Sequence, residues 1–462
     1  MKNRRILFII VICNVFLMAV LLCVLLIAGQ AGWKWKSQDD EMETAAEEFG
    51  GEDHKNIAAK EDHERTASSD PDENIEVSEE DAGLENEIAE QEERILELKN
   101  SDEMQKDTWI ADKLASMTIE EKIAQLFMLS PEKLTGVSHV TAAGDVTKNA
   151  INAFPVGGLI YFASNIETPQ QISEMTAKTQ SYALDRIGVP MFLAVDEEGG
   201  YVTRIAKNSN FDVAAFPHAD ELGRSGDVAA AYEMGSVIGE YLKCYGFNLD
   251  FAPVADVLSN PENQVVKKRS FGSDAQLVSD MALAELDGLE SKSIIGCVKH
   301  FPGHGATAGD THEGYAYTEK TWRELLTCDI IPFSNSIKKG VSMIMAGHIS
   351  LPNVTGDDTP ASMSYCMITE HLRNELGYNG IVITDSLGMG AITDTYDSKQ
   401  VAVSVLKAGG DMILNPPDVK SAYEGILSEV TSGDISEERL DESVYRILNV
   451  KYELLKSNHT AG

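Results

Sequence analysis

The chain has 462 residues and a formal net charge of -36. This acidity argues against a nucleic-acid-binding protein, because such proteins present a basic face to the phosphate backbone. The length allows one large domain with additional segments, or two to three domains of ordinary size.

The chain begins with a short basic segment followed by an apolar run. Lys2, Arg4 and Arg5 precede an almost uncharged stretch from residue 6 to about residue 28, which is long enough to cross roughly 30 Å of hydrocarbon as a helix. A secretory signal peptide has a shorter apolar region, of about 7–15 residues. We therefore predict an uncleaved membrane anchor over 1–36. The basic residues orient it with the N-terminus in the cytoplasm and the remainder outside the cell.

The next segment, 37–105, is rich in Asp and Glu and poor in aromatic residues. That composition is typical of a solvated, disordered segment, so we interpret it as an acidic linker. A folded domain is predicted over 106–458. Near its start, Thr118 is followed three residues later by Glu121, which is the capping-box pattern of a helix N-terminus.

Short apolar runs then alternate with amphipathic stretches. Continuous apolarity suits parallel strands that are buried on both faces, and eight such strands with intervening helices fit a (β/α)8 TIM-type barrel. A doubly wound sheet is the structural alternative, but it does not need eight strand segments. The predicted strands lie within 123–129, 157–162, 190–196, 247–253, 294–300, 341–347, 380–385 and 411–415.

Polar residues occur where these predicted strands end. In a (β/α)8 barrel the functional side chains stand at the carboxyl ends of the strands. A single polar residue there can be an ordinary cap, whereas many at one rim indicate a site. The strand-end residues are Asp196, Asp250, Asp256, Lys299, His300, His348, Asp385 and Asn415.

The stretch KHFPGHGATAGDTHEG, residues 299–314, admits three interpretations. His300 and His304 have a zinc-type spacing, but the intervening proline and glycine rule out the helix that would bring them together. A merely polar βα loop would not explain the clustering of Lys, His and Asp. In the third interpretation, Asp310 orients the ring of His312, which then donates and accepts protons. We favour this acid/base interpretation.

An acid/base group needs a reacting partner, and Asp385 is the best candidate. GxSxG is absent and no cysteine is suitably placed. A strand-end carboxylate opposite an acid/base group is the arrangement of a retaining glycosidase, in which the carboxylate attacks the anomeric carbon. A histidine in place of the second carboxylate departs from the usual pair.

Six segments in this order resemble the β-N-acetylhexosaminidase branch of glycoside hydrolase family 3. They are DEEGGYVTR (196–204), FAPVADV (251–257), RSFG (269–272), KHFPGHG (299–305), GDTH (309–312) and ITDSLGMGAI (383–392). The resemblance implies a barrel enzyme that releases terminal β-linked N-acetylglucosamine (GlcNAc) with retention. It implies that Asp385 is the nucleophile and that His312 is the acid/base, with Asp310 as its partner.

The resemblance also implies that four residues hold the sugar hydroxyls and the acetamido group. These are Asp196, Arg269, Lys299 and His300. His348 and Met389 are weaker candidates for the pocket wall. No cofactor and no metal are implied.

Two positions depart from the family pattern. The family usually has Arg where Tyr201 stands, and 266–268 reads Val-Lys-Lys where a glycine is common before the arginine. Both positions should lie near the rim, so substrate length or affinity could differ. Family members that act as β-glucosidases generally have a second domain, which we do not expect after this barrel.

The predicted anchor and linker would hold the enzyme at the cell membrane on the wall side of a bacterium. GlcNAc-containing glycans or muropeptides derived from peptidoglycan are then the expected substrates. Two alternatives remain open: a phosphorylase, in which phosphate replaces water, and a non-catalytic wall-binding protein. Four cysteines in the folded domain could form disulfides outside the cell, although small buried thiols are the simpler interpretation. They are Cys244, Cys297, Cys328 and Cys366.

Overall fold

A computed structural model describes residues 101–307 and 316–459 of the chain. The predicted anchor, nearly all of the predicted linker, and both Asp310 and His312 lie outside these ranges. Within the described residues, no helix is long and apolar enough to cross a membrane.

Eight parallel strands form one sheet that closes into a barrel, as the alternation of apolar runs and helices predicts. The barrel strands are β1 Phe127–Leu129, β2 Gly158–Ile160, β3 Phe192–Val195, β4 Leu249–Asp250, β5 Ile295–Phe301, β7 Met343–Ala346, β9 Ile381–Thr384 and β10 Ile413–Leu414. Their order in the sheet is β10-β1-β2-β3-β4-β5-β7-β9. The two edge strands, β9 and β10, meet through a bridge between Ile383 and Met412 and through a hydrogen bond of 3.1 Å from the Thr384 amide to the Met412 carbonyl.

Two short strands lie outside the barrel. β6, Ala316–Tyr317, pairs in parallel with β8, Ile349–Ser350. Two-residue strands carry no periodicity that sequence analysis can detect, so this small sheet was not predicted.

Helices surround the barrel and connect its strands. Several begin at an Asp or Thr N-cap, whose side chain accepts a hydrogen bond from an amide of the first turn. They end at a glycine, which adopts the left-handed conformation without steric cost. Thr168 and Gly188 are one such pair. The α-helices span 101–116, Ile119–Gln125, Pro131–Thr135, Asp145–Ala153, Pro169–Ile187, Ala219–Ser225, Val228–Cys244, Ala275–Ser291, Trp322–Leu326, Ile331–Lys339, Pro352–Thr355, Gly390–Thr393, Ser398–Ala408, Val419–Ser432 and Glu437–His459. A π-helix spans Cys366–Glu375, and 3₁₀ turns span Ala163–Asn165, His304–Ala306 and Ala361–Met363.

The capping box at Thr118 is confirmed, and it corrects the first predicted strand. The Thr118 side chain accepts from the Glu121 amide, and Glu121 accepts from the Thr118 amide. The helix that begins there runs to Gln125. The apolar run 123–129 is therefore half helix and half strand, because buried residues of a helix end and of a strand read alike in sequence.

The floor of the barrel, at the amino ends of the strands, holds an unusual buried lysine. Lys451 comes from the C-terminal helix, donates to Gln125 Oε1 at 2.8 Å, and lies 5.0 Å from the ring centroid of Phe192. Burial lowers the pKa of Lys451 well below its ordinary value, since a low-dielectric interior disfavours the charged form.

A second buried ionisable residue, Asp411, joins the C-terminal helix to the barrel at the same end. Its carboxylate accepts from Arg373 at 2.6 Å, Arg446 at 3.0 Å, Ser443 at 2.7 Å and the Val382 amide at 2.9 Å. Asp411 precedes β10 on the side opposite Asn415, so its role is in stability and not in the rim site.

Replacing Asp411 with alanine should destabilise the domain strongly. The change leaves the guanidinium groups of Arg373 and Arg446 without their buried carboxylate, and breaking such a pair costs about 3–5 kcal/mol. Thermal unfolding followed by circular dichroism should show a midpoint several degrees lower. Asp434→Ala, at an exposed loop between two helices, serves as the control. Equal midpoints for the two variants would contradict this account.

Candidate active site

A cavity of about 690 Å³ opens at the carboxyl ends of the barrel strands. This is the rim at which the sequence places its polar strand-end residues. Its lining residues are Ile160, Phe162, Asp196, Glu198, Tyr201, Val202, Arg204, Gln264, Val265, Arg269, Lys299, His300, Met345, Asp385, Ser386, Gly388, Met389, Leu414 and Asn415.

The structure brings together five of the seven predicted site residues. Asp196, Arg269, Lys299, His300 and Asp385 all line this cavity, although they are spread over almost two hundred positions of sequence. The remaining two, the predicted acid/base pair, lie outside the described residues.

Asp385 follows β9 directly, and the strand fixes its position. Its amide donates to the Ala346 carbonyl of the neighbouring strand at 2.9 Å, and Oδ1 accepts from the Ser386 amide at 2.7 Å. Burial raises the pKa of this carboxyl, but His300, His348 and the Ser386 N–H outweigh it, so the net pKa is lowered. Asp385 is therefore an ionised carboxylate that faces the cavity.

Glu198 anchors two cations of the site. Its Oε2 accepts from Arg269 Nε at 2.8 Å, and its Oε1 accepts from Arg269 Nη2 at 2.7 Å and from Lys299 Nζ at 2.6 Å. Burial opposes ionisation of Glu198, yet the charges on Arg269 and Lys299 hold its pKa far below the ordinary value. This bidentate pair fixes the distance between the Arg269 guanidinium and the Glu198 carboxylate, and it also fixes the plane of the guanidinium.

Asp196 completes this charged cluster. Its Oδ1 accepts from Lys299 Nζ at 3.0 Å, and Arg204 Nη2 lies 3.5 Å from its Oδ2. Asp196 immediately follows β3, and Lys299 lies within β5, so two strand ends position the pair. The cluster offers both acceptors and donors to the cavity, as recognition of several hydroxyl groups requires.

His300 is oriented by a buried aspartate. Asp256 Oδ2 lies 2.7 Å from His300 Nδ1, and Asp256 Oδ1 accepts from the amides of His300 at 3.1 Å and His304 at 2.6 Å. Although burial acts in the opposite direction, the interactions with His300 and His304 lower the pKa of Asp256. An ionised Asp256 makes Nδ1 the donor, which leaves Nε2 at 3.4 Å from Arg269 Nη2.

His300 and His304, which have the zinc-type spacing, make separate contacts in the structure. The two ring centroids are 6.0 Å apart, and each Nδ1 has another partner: Asp256 for His300, and Thr307 Oγ1 at 2.9 Å for His304. Within 101–307 and 316–459, no group of three or more His, Cys, Asp and Glu side chains could hold a metal ion.

The two weaker pocket candidates have different positions. Met389 lines the cavity. His348 lies behind it, with Nδ1 at 2.8 Å from Ser362 Oγ and Nε2 at 3.1 Å from the Ser386 carbonyl. His348 therefore supports the backbone next to Asp385 from below.

Asp250 belongs to a buried acidic layer behind the cavity and does not line it. Its Oδ1 accepts from the Glu197 amide at 2.9 Å, while its Oδ2 has no hydrogen-bond partner among the described residues. Burial raises the pKa of Asp250 well above its ordinary value, and the charge on Glu197 adds to the effect. Glu285, from the helix outside β5, is also buried, and burial followed by repulsion from Asp250 and Glu198 raises its pKa as well.

Glu197 has a separate role in shaping the rim. Its carboxylate accepts from three successive amides, those of Arg204 at 2.6 Å, Ile205 at 2.9 Å and Ala206 at 2.9 Å, and from Tyr241 Oη at 2.9 Å. This set of bonds fixes the loop that carries Arg204 into the cavity.

Sequence reasoning missed Glu198 and Arg204 as members of the site. Both lie inside the quoted segment DEEGGYVTR, but nothing in a single sequence shows which of three consecutive acidic residues faces inward. Asn415, one of the strand-end residues expected at the rim, lines the cavity. It adopts a positive φ of 52°, and its Oδ1 accepts from the Ser130 amide at 3.2 Å.

The described residues thus form an α/β barrel that carries an ionised carboxylate and a cluster of charged side chains at its carboxyl rim, where barrel enzymes have their active sites. The model of the glycosyl hydrolase family 3 N terminal domain matches residues 118–450. The chain belongs to this family, as its sequence segments indicated.

Individual relatives agree with this assignment. Beta-hexosaminidase A of Pseudoalteromonas piscicida is 32% identical over 333 residues, which cover 67% of this chain and 55% of that protein. Beta-hexosaminidase LpqI of Mycobacterium tuberculosis is 32% identical over 271 residues, 57% of this chain and 68% of that protein. The solved family 3 β-N-acetylglucosaminidase of Paenibacillus sp. str. FPU-7 is 36% identical with a TM-score of 0.69, covering 73% of this chain and 62% of that one.

The buried carboxyl of Glu285 should make stability depend on pH. Because its pKa is raised in the folded state, folding binds a proton that the unfolded chain releases, so stability falls as pH rises above the unfolded value. Because glutamine does not ionise, Glu285→Gln should not lose stability in this way as the pH rises. Chemical denaturation should show that the variant gains stability relative to the wild type from pH 4.5 to 7.5. Glu233→Gln, at an exposed site, should show no such gain, and a pH-independent difference for Glu285→Gln would contradict the assignment.

Proposed function

We propose that this protein is a retaining exo-β-N-acetylhexosaminidase that releases non-reducing terminal β-linked GlcNAc. The observation that carries the proposal is the position of Asp385, an ionised strand-end carboxylate in the same cavity as the cluster of Asp196, Glu198, Arg269 and Lys299. The names of the relatives at about one-third identity support the same substrate class.

The proposed reaction begins with attack by Asp385 on the anomeric carbon. The bond from that carbon to the glycosidic oxygen breaks, and the oxygen takes a proton from His312, which Asp310 orients. Water then attacks the covalent glycosyl-Asp385 intermediate and gives its proton to His312, which restores both side chains. The roles of His312 and Asp310 rest on the family resemblance.

The charged cluster would hold the terminal sugar. Asp196 can accept from hydroxyl groups, while Lys299 and Arg269 can donate to hydroxyl or acetamido oxygens. These cations are already aligned by Glu198, at 2.6 Å from Lys299 and at 2.7 and 2.8 Å from Arg269. Such pre-alignment lowers the reorganisation needed when a substrate binds.

We further propose that the substrates are muropeptides or other fragments of peptidoglycan. This step rests on the predicted membrane anchor over 1–36 and the acidic linker over 37–105, which would tether the catalytic domain on the wall side of a bacterial membrane. Purified wall fragments that release no GlcNAc, under conditions in which a chromogenic glycoside is hydrolysed, would overturn it.

The direct test of the reaction is hydrolysis of a chromogenic GlcNAc β-glycoside with and without inorganic phosphate. Free GlcNAc at equal rates in both samples is expected of a hydrolase, whereas phosphate-dependent formation of GlcNAc-1-phosphate would identify a phosphorylase. Proton NMR of the first product should show the β-anomer. An α-anomer formed first would overturn the retaining mechanism.

Asp385→Ala should remove nearly all turnover. Without the nucleophile no glycosyl intermediate can form, and we expect kcat to fall by at least about 10³-fold. Asp394→Ala, at an exposed position nine residues further along, is the matched control. Comparable turnover in both variants would show that Asp385 is not the nucleophile.

Glu198→Gln should weaken catalysis without removing a reacting group. Arg269 and Lys299 lose their shared carboxylate and the alignment it imposes, so we expect kcat/KM to fall about 10²-fold. Glu262→Gln, at an exposed position, is the control and should change kcat/KM less than about twofold. Circular dichroism checks that both variants are folded, and a wild-type kcat/KM for folded Glu198→Gln would refute the alignment role.

A further inference from the structure

A buried carboxylate outside the cavity contacts the chain on both sides of the segment 308–315, which carries the proposed acid/base pair. The side chain of Asp329 is 0% exposed, and its Oδ2 accepts from Lys320 Nζ at 2.5 Å. Its Oδ1 accepts from Ser259 Oγ at 3.2 Å, and Lys320 Nζ also donates to Ser259 Oγ at 2.9 Å. We name these three residues the Asp329 cluster. None of them, all within the described ranges, lines the cavity, and the proposed reaction does not use them.

The chain that leads into the segment is fixed on the loop that follows β4. The Thr307 carbonyl accepts from Asn260 Nδ2 at 3.0 Å, and Thr307 Oγ1 accepts from Asn263 Nδ2 at 3.1 Å. Gly303 packs directly on Asp329, since a β-carbon at Gly303 would lie 2.9 Å from the Asp329 Cβ. Both the loop after β4 and the Asp329 cluster therefore hold the entry to the segment.

The chain that leaves the segment is fixed on the loop that follows β7. Its first two described residues form β6, which pairs with β8, and the Thr318 amide donates to the Ser350 carbonyl at 3.1 Å. His348 immediately precedes β8, and its Nε2 lies 3.1 Å from the Ser386 carbonyl, next to Asp385. The exit from the segment is thus held by the same loop that supports the proposed nucleophile.

The Asp329 cluster links these two sides. Asp329 contacts Gly303 before the segment and Lys320 after it. Fixing both ends of a chain segment reduces the number of conformations open to the residues between them. A general acid must lie within hydrogen-bond reach of the oxygen that it protonates, and a misplacement of about 1 Å can lower a rate about 10²-fold.

We propose that Lys320 and Asp329 are positioning residues for the acid/base group: their ion pair links the two ends of 308–315 and so fixes the place from which His312 acts. The inference rests on the proposed function, because it takes His312 as the acid/base group. Neither Lys320 nor Asp329 lines the cavity. The pair should therefore affect the step that needs a proton on the leaving group and leave sugar binding unchanged.

The test compares two GlcNAc β-glycosides whose leaving groups differ in their need for a proton. 2,4-Dinitrophenolate leaves without one, whereas the phenyl glycoside depends on protonation of its glycosidic oxygen. The measured quantity is the phenyl-to-dinitrophenyl ratio of kcat/KM values. Lys320→Met should lower this ratio about tenfold, through the phenyl glycoside alone. A variant that only lost stability or sugar binding would hydrolyse both compounds more slowly and keep the ratio.

Two further variants control this measurement. Lys338→Met removes the same charge from an exposed position of the helix Ile331–Lys339 and should keep the ratio to within about twofold. Ser259→Ala removes only one hydroxyl group from the Asp329 cluster. It should lower the ratio about threefold, and it replaces Lys320→Met if circular dichroism shows that the latter does not fold.

His312→Ala separates the positioning role from the proposed function. It should lower the phenyl-to-dinitrophenyl ratio by at least about 10²-fold. If it slows both compounds equally, the proposed role of His312 fails, and the positioning role with it. If it lowers the ratio while Lys320→Met and Ser259→Ala keep the wild-type value, the positioning role is wrong and the proposed function stands.

Discussion

The site depends on one interaction, the contact of the Glu198 carboxylate with both Arg269 and Lys299. Two buried cations close to one another repel, and burying both in a low-dielectric interior costs free energy unless an anion lies between them. With Glu198 between them, at 2.6 to 2.8 Å, the pKa values of both cations are raised. Asp196 then adds a second carboxylate to Lys299 at the cavity surface.

A second group of buried carboxylates supports this cluster from behind. Asp256 orients His300, and Glu197 fixes the loop that carries Arg204. Each of these carboxylates accepts hydrogen bonds from backbone amides and also contacts a side chain. The same carboxylates therefore fix the rim loops and orient side chains of the site. The barrel strands thus fix the backbone positions of the site, and the buried carboxylates fix the orientation of its charged side chains.

Much of the fold could be predicted from the sequence, because apolar runs indicate buried strands and glycines mark the ends of the helices between them. Errors arose where local pattern is ambiguous. The run 123–129 contains a helix end and a strand, and only the cap at Thr118 shows where one begins. The short pair of β6 and β8 has no pattern of its own and exists through tertiary contact.

Some residues of the site could be predicted from the sequence and others could not. Residues at strand ends, such as Asp385 and Lys299, could be predicted because parallel strands in a barrel bring their carboxyl ends together. Glu198 could not, since its importance lies in contacts with residues 71 and 101 positions away along the chain, Arg269 and Lys299. Asn415 was recognised only as a strand end, and its left-handed backbone and its bond to Ser130 are visible only in the folded chain.

In the proposed reaction, Asp385 forms a covalent bond to the sugar while the charged cluster holds it. Mass spectrometry of peptides from protein quenched during reaction with a slow fluorinated GlcNAc donor would detect this bond. We expect an N-acetylhexosaminyl adduct on the peptide that contains Asp385. An adduct on a different carboxylate, or turnover of the donor to an inverted product with no adduct, would contradict it.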